Sequence, residues 1–252
     1  MAKLNVDKVV LGLGCLLMAV FMFLAWGQVF HWEAAKWASA LAVPEFTRDH
    51  LPVLARMPKA LTFHIFSGSF GLVIGLIQLW CSSLRRKSPT GNNYLGYLYV
   101  ALVVMTGSGW YLLPFEFVRL WLSNLTLHKY LGYLYVALVM MLVGSGWYLL
   151  PHIFGGYTEG VATVVFGLTL LPFFTLRGVW FACHGQFERH RFDMMRSFAL
   201  LAANLTIRAI LPVLTLCGVP EKTGIGLAFW AGWGLNVAYC EWLIHRRREA
   251  KT

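Results

Sequence analysis

Apolar residues are concentrated in seven long runs that carry few charges. The runs lie at about 9–30, 61–82, 94–114, 130–151, 160–182, 195–217 and 223–244. Each has roughly the 20 residues that a helix needs to cross a hydrocarbon core of about 30 Å. Because an isolated strand cannot satisfy its backbone hydrogen bonds in lipid, the runs predict helices. The pattern therefore predicts an all-α, polytopic transmembrane bundle that forms a single integral-membrane domain over residues 1–252.

Two of these runs are nearly the same sequence. YLGYLYVALVVM begins at Tyr94 and YLGYLYVALVMM begins at Tyr130, so eleven of twelve positions are identical. Both copies continue to GSGWYLLP, which ends at Pro114 and Pro151. We interpret 94–114 and 130–151 as a tandem duplication. It adds one hydrophobic helix to a six-span core, and the total becomes about seven helices.

Composition excludes several classes of protein. The 252 residues are 58% hydrophobic and only 13% charged, whereas soluble domains carry about 25% charged residues. The net charge of +10 would favour nucleic-acid binding in a soluble protein. Here the basic residues cluster at helix ends, which is typical of membrane topology and of anionic lipid headgroups. We therefore expect a lipid bilayer as the partner and no nucleic acid.

Basic loops predict the orientation, because short Lys- and Arg-rich loops stay in the cytoplasm. Lys3 and Lys8 precede the first run, so we expect a multi-pass protein of the bacterial inner membrane with a cytoplasmic N-terminus. The loops at 83–93 and 183–194 and the tail at 245–252 are also basic. Two loops on the same side of the membrane are separated by an even number of spans. Three apolar runs lie between the loops at 83–93 and 183–194, which is one too many. The extra copy at 94–114 either spans and reverses the orientation of every later helix or does not span, and the sequence leaves this open.

Polar residues inside the spans are candidate functional groups, since a charge at the bilayer centre costs about 2.5–3.5 kcal/mol. Arg208 lies deep in its run, and we expect it to hold an anionic group or to bond backbone carbonyls. Asn236 and Glu241 lie in the last run, with Glu241 near its inner end. Arg196, at the inner end of the preceding run, is a better-placed partner for Glu241 than Arg208 is. The alternative for Arg196 and Glu241 is an interfacial ion pair or snorkelling side chains.

The histidines divide by predicted depth. His64 and His152 lie toward the outer face, whereas His128, His184 and His190 lie toward the inner face. Neutral imidazole is a good axial ligand for haem iron, and a helical bundle can supply one from each of two helices. An inner haem b held by His128 with His190 or His184, and an outer pair of His64 with His152, are the candidate sites. The alternative is that these residues cap helices or bond headgroups. No zinc-protease or serine-hydrolase motif occurs, and no metal beyond haem iron is expected.

Several motifs are similar to those of a bacterial family of six-span integral membrane proteins of unknown function. The chain has FHIFSG at 63–68, LHKYLGYLYV at 127–136, PHIFGG at 151–156, HRFDMMRSFALLAANLTIR at 190–208 and WAGWGLNVAYCEW at 230–242. The resemblance covers about residues 10–245. It marks as pattern positions His64, His128, His190, Arg196, Arg208, Asn236 and Glu241. The chain departs from the pattern at Tyr130, at Phe192 and Asp193, and at Asn92, which stands where the first copy would need histidine. The family brings no activity with it.

The motif at the start of the 130–151 helix also resembles, by distant analogy, that of b561-like membrane cytochromes, which carry electrons on paired histidines. Two functions are therefore hypotheses, and whether the protein is an enzyme stays open. The first is a haem-binding electron-transfer protein that takes electrons from a quinol or a redox partner protein. In it, Arg208 would hold a propionate. The second is a non-enzymatic membrane protein: a small-solute or proton-linked transporter, or an assembly partner. Arg208, Asn236 and Glu241 would then line a polar path. A membrane-embedded enzyme that acts on lipid is a third alternative.

Overall fold

The computed structural model describes residues 56–84, 125–153 and 158–249. These residues form five long helices, which we label α1 to α5. Helix α1 is Pro58–Leu84, α2 is Leu125–Ile153, α4 is Phe187–Leu216 and α5 is Glu221–Glu249. Helix α3 is Thr158–Cys183. The prediction of an all-helical membrane bundle is confirmed. The predicted helices at 9–30 and 94–114 lie outside the described residues.

Helix α3 changes its winding part-way along. It runs as an α-helix over Thr158–Ala162, as a π-helix over Thr163–Leu170 and again as an α-helix over Leu171–Cys183. Pro172 has no backbone N–H to give to the carbonyl one turn earlier, so the regular ladder is interrupted where the winding changes. Segments of π-helix are found frequently at functional sites.

The helices alternate in direction. Gln78 near the end of α1 donates to the carbonyl of His128 near the start of α2, while His64 bonds Ser145 in the other half. Helices α3 and α4 form a hairpin across Gly185, and α4 and α5 form another across Gly218. Both glycines have positive φ (71° and 74°), which lets the chain reverse tightly. Consequently α1 ends, and α2 and α4 begin, at the same face of the bundle.

We call this end the basic face, because it also carries the last turn of α5, with Arg246, Arg247 and Arg248. The other end, with the turn at Gly218, is the opposite face. Helix α4 begins at Phe187, well before the apolar run predicted from residue 195. The residues between these positions are mostly polar, so a search for apolar runs misses the start of the helix. The turn at Gly185 marks the point where the chain reverses before α4.

The bundle is apolar inside and outside, as expected in lipid. Four of the described helices are long and apolar enough to cross a membrane, and α5 is not among them. The core joins α1, α2 and α4 through residues such as Leu72, Leu138 and Leu201. Large apolar side chains are also exposed on the outside, for example Phe63, Tyr133 and Leu235. A soluble protein rarely shows so much contiguous apolar surface, so this surface faces the bilayer.

Candidate functional site

A buried carboxylate near the basic face is the centre of a charge network. Asp193 on α4 has a side chain that is only 2% exposed. Arg177 on α3 donates to both of its oxygens, with Nε–Oδ2 at 2.6 Å and Nη2–Oδ1 at 2.7 Å. Arg196, one turn along α4, donates from Nη1 to Oδ1 at 3.0 Å. A carboxylate that is bound by two nitrogens of one guanidinium and by a second cation is held in a fixed position.

The network continues from Arg196 to the last helix. The Nε and Nη2 atoms of Arg196 donate to the two carboxylate oxygens of Glu241 on α5, at 2.5 and 2.8 Å. The pairing of Arg196 with Glu241 predicted from the sequence is therefore confirmed. The two side chains differ in burial, since Arg196 is 17% exposed and Glu241 is 47% exposed. Together with Arg177 and Asp193 they form a four-residue chain of balanced charge, which we call the charge network.

Aromatic rings cover the charge network on the α3 side. The guanidinium carbon of Arg177 lies 4.9 Å from the ring centre of Phe173 and 5.2 Å from that of Phe174. Arg196 lies 5.6 Å from the same Phe174 ring. A guanidinium over a ring face is stabilised by the ring quadrupole, more so away from water. The rings therefore stabilise both cations without competing for the carboxylates.

A second polar cluster consists of three buried hydroxyls and lies one turn beyond Asp193. Ser197 follows Asp193 by four residues on α4, and its Oγ lies 2.9 Å from the Tyr135 hydroxyl of α2. The same Oγ lies 2.7 Å from Thr175 Oγ1 of α3, and Thr175 in turn donates to the carbonyl of Leu171. The three residues are at most 1% exposed. This hydroxyl cluster joins three helices through groups whose hydrogen-bonding capacity is used within the protein.

Asn236 ties α5 to α4 deeper in the bundle. Its side-chain nitrogen donates to the carbonyl of Ala199 at 3.3 Å, and its oxygen accepts from Thr206 Oγ1 at 3.1 Å. The neighbouring Trp233 donates from its ring to the carbonyl of Leu200 at 3.2 Å. Polar contacts therefore extend along α4 from Asp193 to Thr206, about 20 Å at 1.5 Å per residue.

The residues near the opposite face form a separate group. His64 Nδ1 lies 3.0 Å from Ser145 Oγ, and Ser145 also donates to the carbonyls of Met141 and Leu142. The Arg208 side chain, further along α4, is exposed. Arg208 lies about 18 Å beyond Arg196 along α4, so it takes no part in the charge network.

The predicted outer histidine pair is not brought together. His64 faces Ser145, whereas His152 lies two turns further along α2, about 10 Å away at 1.5 Å per residue. His152 is exposed and packs on Tyr148, with ring centres 5.9 Å apart. The two imidazoles therefore lie at different heights along the bundle axis.

The inner histidines are arranged differently. Helices α2 and α4 run in parallel, and His128 and His190 each precede a member of the Tyr135–Ser197 hydrogen bond by seven residues, so they lie at the same height. His190 Nδ1 lies 2.8 Å from the carbonyl of Gly178. His184 instead lies exposed in the turn and packs against Trp180, with ring centres 4.2 Å apart. His128 and His190 therefore share one height in the bundle, whereas His184 lies in the turn.

Arg177, Asp193, Ser197, Thr175 and Tyr135 are site residues that the sequence does not single out. Arg177 carries a signal, because it is a charged residue inside the predicted 160–182 span. Asp193 stands out in the sequence only as a departure from the family pattern. The three hydroxyl residues carry no such signal, since Ser, Thr and Tyr are common in membrane helices. Across the described residues, no group of three or more His, Cys, Asp or Glu side chains is placed to hold a metal ion.

Comparison with known proteins decides the family. Residues 114–244 match a family described as "Predicted membrane protein (DUF2306)", and this is more than half of the chain. The chain belongs to this family. The matched region contains the whole charge network, the hydroxyl cluster, the three inner histidines and Arg208, whereas His64 lies outside it. No curated protein and no solved structure matches the chain.

Proposed function

We propose that this membrane protein moves a small anionic solute across the bacterial inner membrane together with a proton. The observation that carries the proposal is the charge network, in which one guanidinium, that of Arg196, serves a buried carboxylate and a half-exposed one. Ionisable residues inside a helical bundle mark ion and substrate paths, because they are otherwise costly there. The basic face would be cytoplasmic by the rule for Lys and Arg.

The two carboxylates have different roles in this proposal. Asp193 is buried and held by two arginines, so it stays in place and keeps Arg196 oriented. Glu241 is 47% exposed, and its contact within the charge network is with Arg196. An arriving carboxylate or phosphate competes with Glu241 for Nε and Nη2 of Arg196, which match the geometry of either group.

Displacement of Glu241 from Arg196 couples binding of the anion to uptake of a proton. A carboxylate that loses its cation in apolar surroundings is costly, and it lowers that cost by taking up a proton. One anion bound at Arg196 and one proton bound at Glu241 leave the net charge of the network unchanged. The hydroxyl cluster and Asn236 place further polar groups along α4 beyond the charge network.

Proteoliposomes that hold a trapped pH-sensitive dye test the proposal. Lactate and inorganic phosphate are the two probes, added outside with an imposed pH gradient. The wild type should dissipate the gradient faster than empty liposomes with at least one probe. Glu241→Gln, which has no carboxylate to protonate, should slow this flux at least tenfold.

The matched control is Glu249→Gln. Glu249 lies on the same helix and pairs with His245, outside the charge network. Its loss removes the same charge from α5, and the flux should stay within twofold of the wild type. Wild-type flux no faster than that of empty liposomes with both probes would reject the proposal, as would equal slowing by the two variants.

The arrangement of His128 and His190 favours a second candidate function, electron transfer through haem b. The two imidazoles lie at one height on parallel helices. The Nδ1 contact of His190 with the Gly178 carbonyl is the orienting bond that metal-ligating histidines usually make, and it leaves Nε2 for iron. These two residues would hold the haem, which would supply one-electron redox chemistry with a quinol or a partner protein. Arg208 lies about 27 Å from His190 along α4, so it would not serve a propionate there.

Absorption spectra separate this candidate from the first. Protein expressed with added haem precursor should show α and Soret bands in a dithionite-reduced minus oxidised spectrum. His190→Ala and His128→Ala should each remove the bands, while His184→Ala, in the exposed turn, should keep them. A preparation without either band would end the haem proposal and leave the transport proposal untouched.

A further inference from the structure

A groove between α4 and α5 opens beside the charge network and is not used by it. Its volume is about 360 Å³, and its wall is mostly apolar, with Met195, Phe198, Ala202 and Leu243 among the lining residues. It extends along α4 from Arg191 to Ala202, about 16 Å at 1.5 Å per residue. Its far end is closed by Asn236, which is already bonded to Ala199 and Thr206. The groove is thus long, narrow and apolar.

The end of the groove at the basic face carries positive charge. Arg191 and Arg247 line it there, one from each helix, and Nη1 of Arg247 lies 3.6 Å from Met195 Sδ. The residues that line the groove include no carboxylate. Arg246 and Arg248 flank Arg247 in the last turn of α5 but do not line the groove. The charge is therefore at headgroup depth, and the apolar wall is at acyl-chain depth.

We propose that this groove is a binding site for an anionic phospholipid of the same membrane leaflet. The phosphate would lie between Arg191 and Arg247, and one acyl chain would extend along Ala202 toward Asn236. Two separated guanidinium groups attract an anionic headgroup more than a zwitterionic one, since each basic residue near a membrane surface contributes about 1 kcal/mol toward anionic lipid. The groove is separate from the proposed solute site, because Arg196 and Glu241 do not line it.

Native mass spectrometry of the detergent-purified full chain tests the site. The protein is titrated with phosphatidylglycerol, with phosphatidylcholine of the same acyl chains, and with inorganic phosphate. The wild type should retain phosphatidylglycerol at least tenfold more tightly than phosphatidylcholine. The double variant Arg191→Gln/Arg247→Gln should lose that preference, and the wild type should show no comparable retention of inorganic phosphate.

A matched double variant controls for net charge. Arg189→Gln/Arg246→Gln removes two charges from the same face, where Arg189 bonds Gln186 and Arg246 lies over Trp242. Its preference for phosphatidylglycerol should stay within twofold of the wild type. Equal losses in the two double variants would overturn the proposal in favour of diffuse attraction by the basic face. Inorganic phosphate retained as tightly as the lipid would overturn it too.

A photoactivatable phosphatidylglycerol on the wild type keeps the proposal testable if the first double variant does not fold. Label on the acyl chain should map to residues 191–202 and 236–247. A groove covered by another part of the chain or by a second copy would give no label in these two segments, and that result would reject the lipid site.

Discussion

Arg196 and Glu241 form a two-pronged ion pair between α4 and α5, and the third donor group of Arg196 serves Asp193 on its own helix. The distances are 2.5 and 2.8 Å to Glu241 and 3.0 Å to Asp193. The two carboxylates are not equivalent, although the same guanidinium binds both. Asp193 is also held by Arg177 and is buried, whereas Glu241 has only this contact in the charge network and is half exposed.

Asp193→Asn should therefore destabilise the protein strongly. The variant leaves Arg177 and Arg196 beside each other without the buried carboxylate, and breaking a buried pair in this way costs about 3–5 kcal/mol. The midpoint of thermal unfolding in detergent should fall clearly. Glu241→Gln should cost only about 1 kcal/mol, since a partly exposed pair is worth little. Similar midpoints for the two variants would contradict the difference in burial.

Tyr135→Phe should cost about 1 kcal/mol, because it removes one hydrogen bond and leaves no large cavity. Ser197→Ala should cost more, about 1–3 kcal/mol, since the buried Tyr135 hydroxyl loses its contact. Thermal unfolding in detergent measures both. Tyr133→Phe is the control, because Tyr133 lies on the same helix with its side chain toward lipid. A loss for Tyr133→Phe as large as that for Ser197→Ala would show that the hydroxyl cluster does not stabilise the bundle.

Part of the charge network could be predicted from the sequence. Arg196 and Glu241 lie near the inner ends of successive antiparallel helices, and a charge in lipid needs a partner, so the sequence predicts their pairing. Arg177 and Asp193 are open to the same argument, because they are equally far from the turn at Gly185. A helix that starts at residue 195, as the apolar run indicates, places Asp193 outside the membrane and hides the pair.

The hydroxyl cluster and the π-helical segment could not be predicted in this way. Tyr135 and Ser197 are sixty-two positions apart, and their contact depends on how α2 packs beside α4, which no local pattern records. The π-helix over Thr163–Leu170 is mostly apolar, so its altered winding leaves no periodic signal. Likewise, the separation of His64 from His152 depends on the register of α1 against α2.

The crossing of α4 and α5 depends on a glycine. A Cβ on Gly232 would lie 3.1 Å from the backbone nitrogen of Ile207, whereas a Cβ on Gly234 would meet nothing within 4 Å. Gly232→Ala should therefore cost about 1–3 kcal/mol through overpacking. Gly234→Ala should stabilise the helix by up to about 1 kcal/mol, because alanine favours helix more than glycine does. Thermal unfolding of the two variants distinguishes them, and a destabilised Gly234→Ala with an unaffected Gly232→Ala would contradict this helix packing.

The alternation of the five described helices makes a prediction about the duplicated helix. Helix α1 ends and α2 begins at the basic face, so we predict that Leu84 and Leu125 lie on the same side of the membrane. Fusions of a fluorescent protein that end at Leu84, Gln186 and Glu249 should therefore report one side, the cytoplasm by the rule for basic residues. Alkaline phosphatase fusions that end at Ile153 and Gly218 should be active on the other side. If the fusions at Leu84 and Ile153 report the same side, the extra copy at 94–114 adds one crossing and the arrangement of α1 beside α2 is wrong.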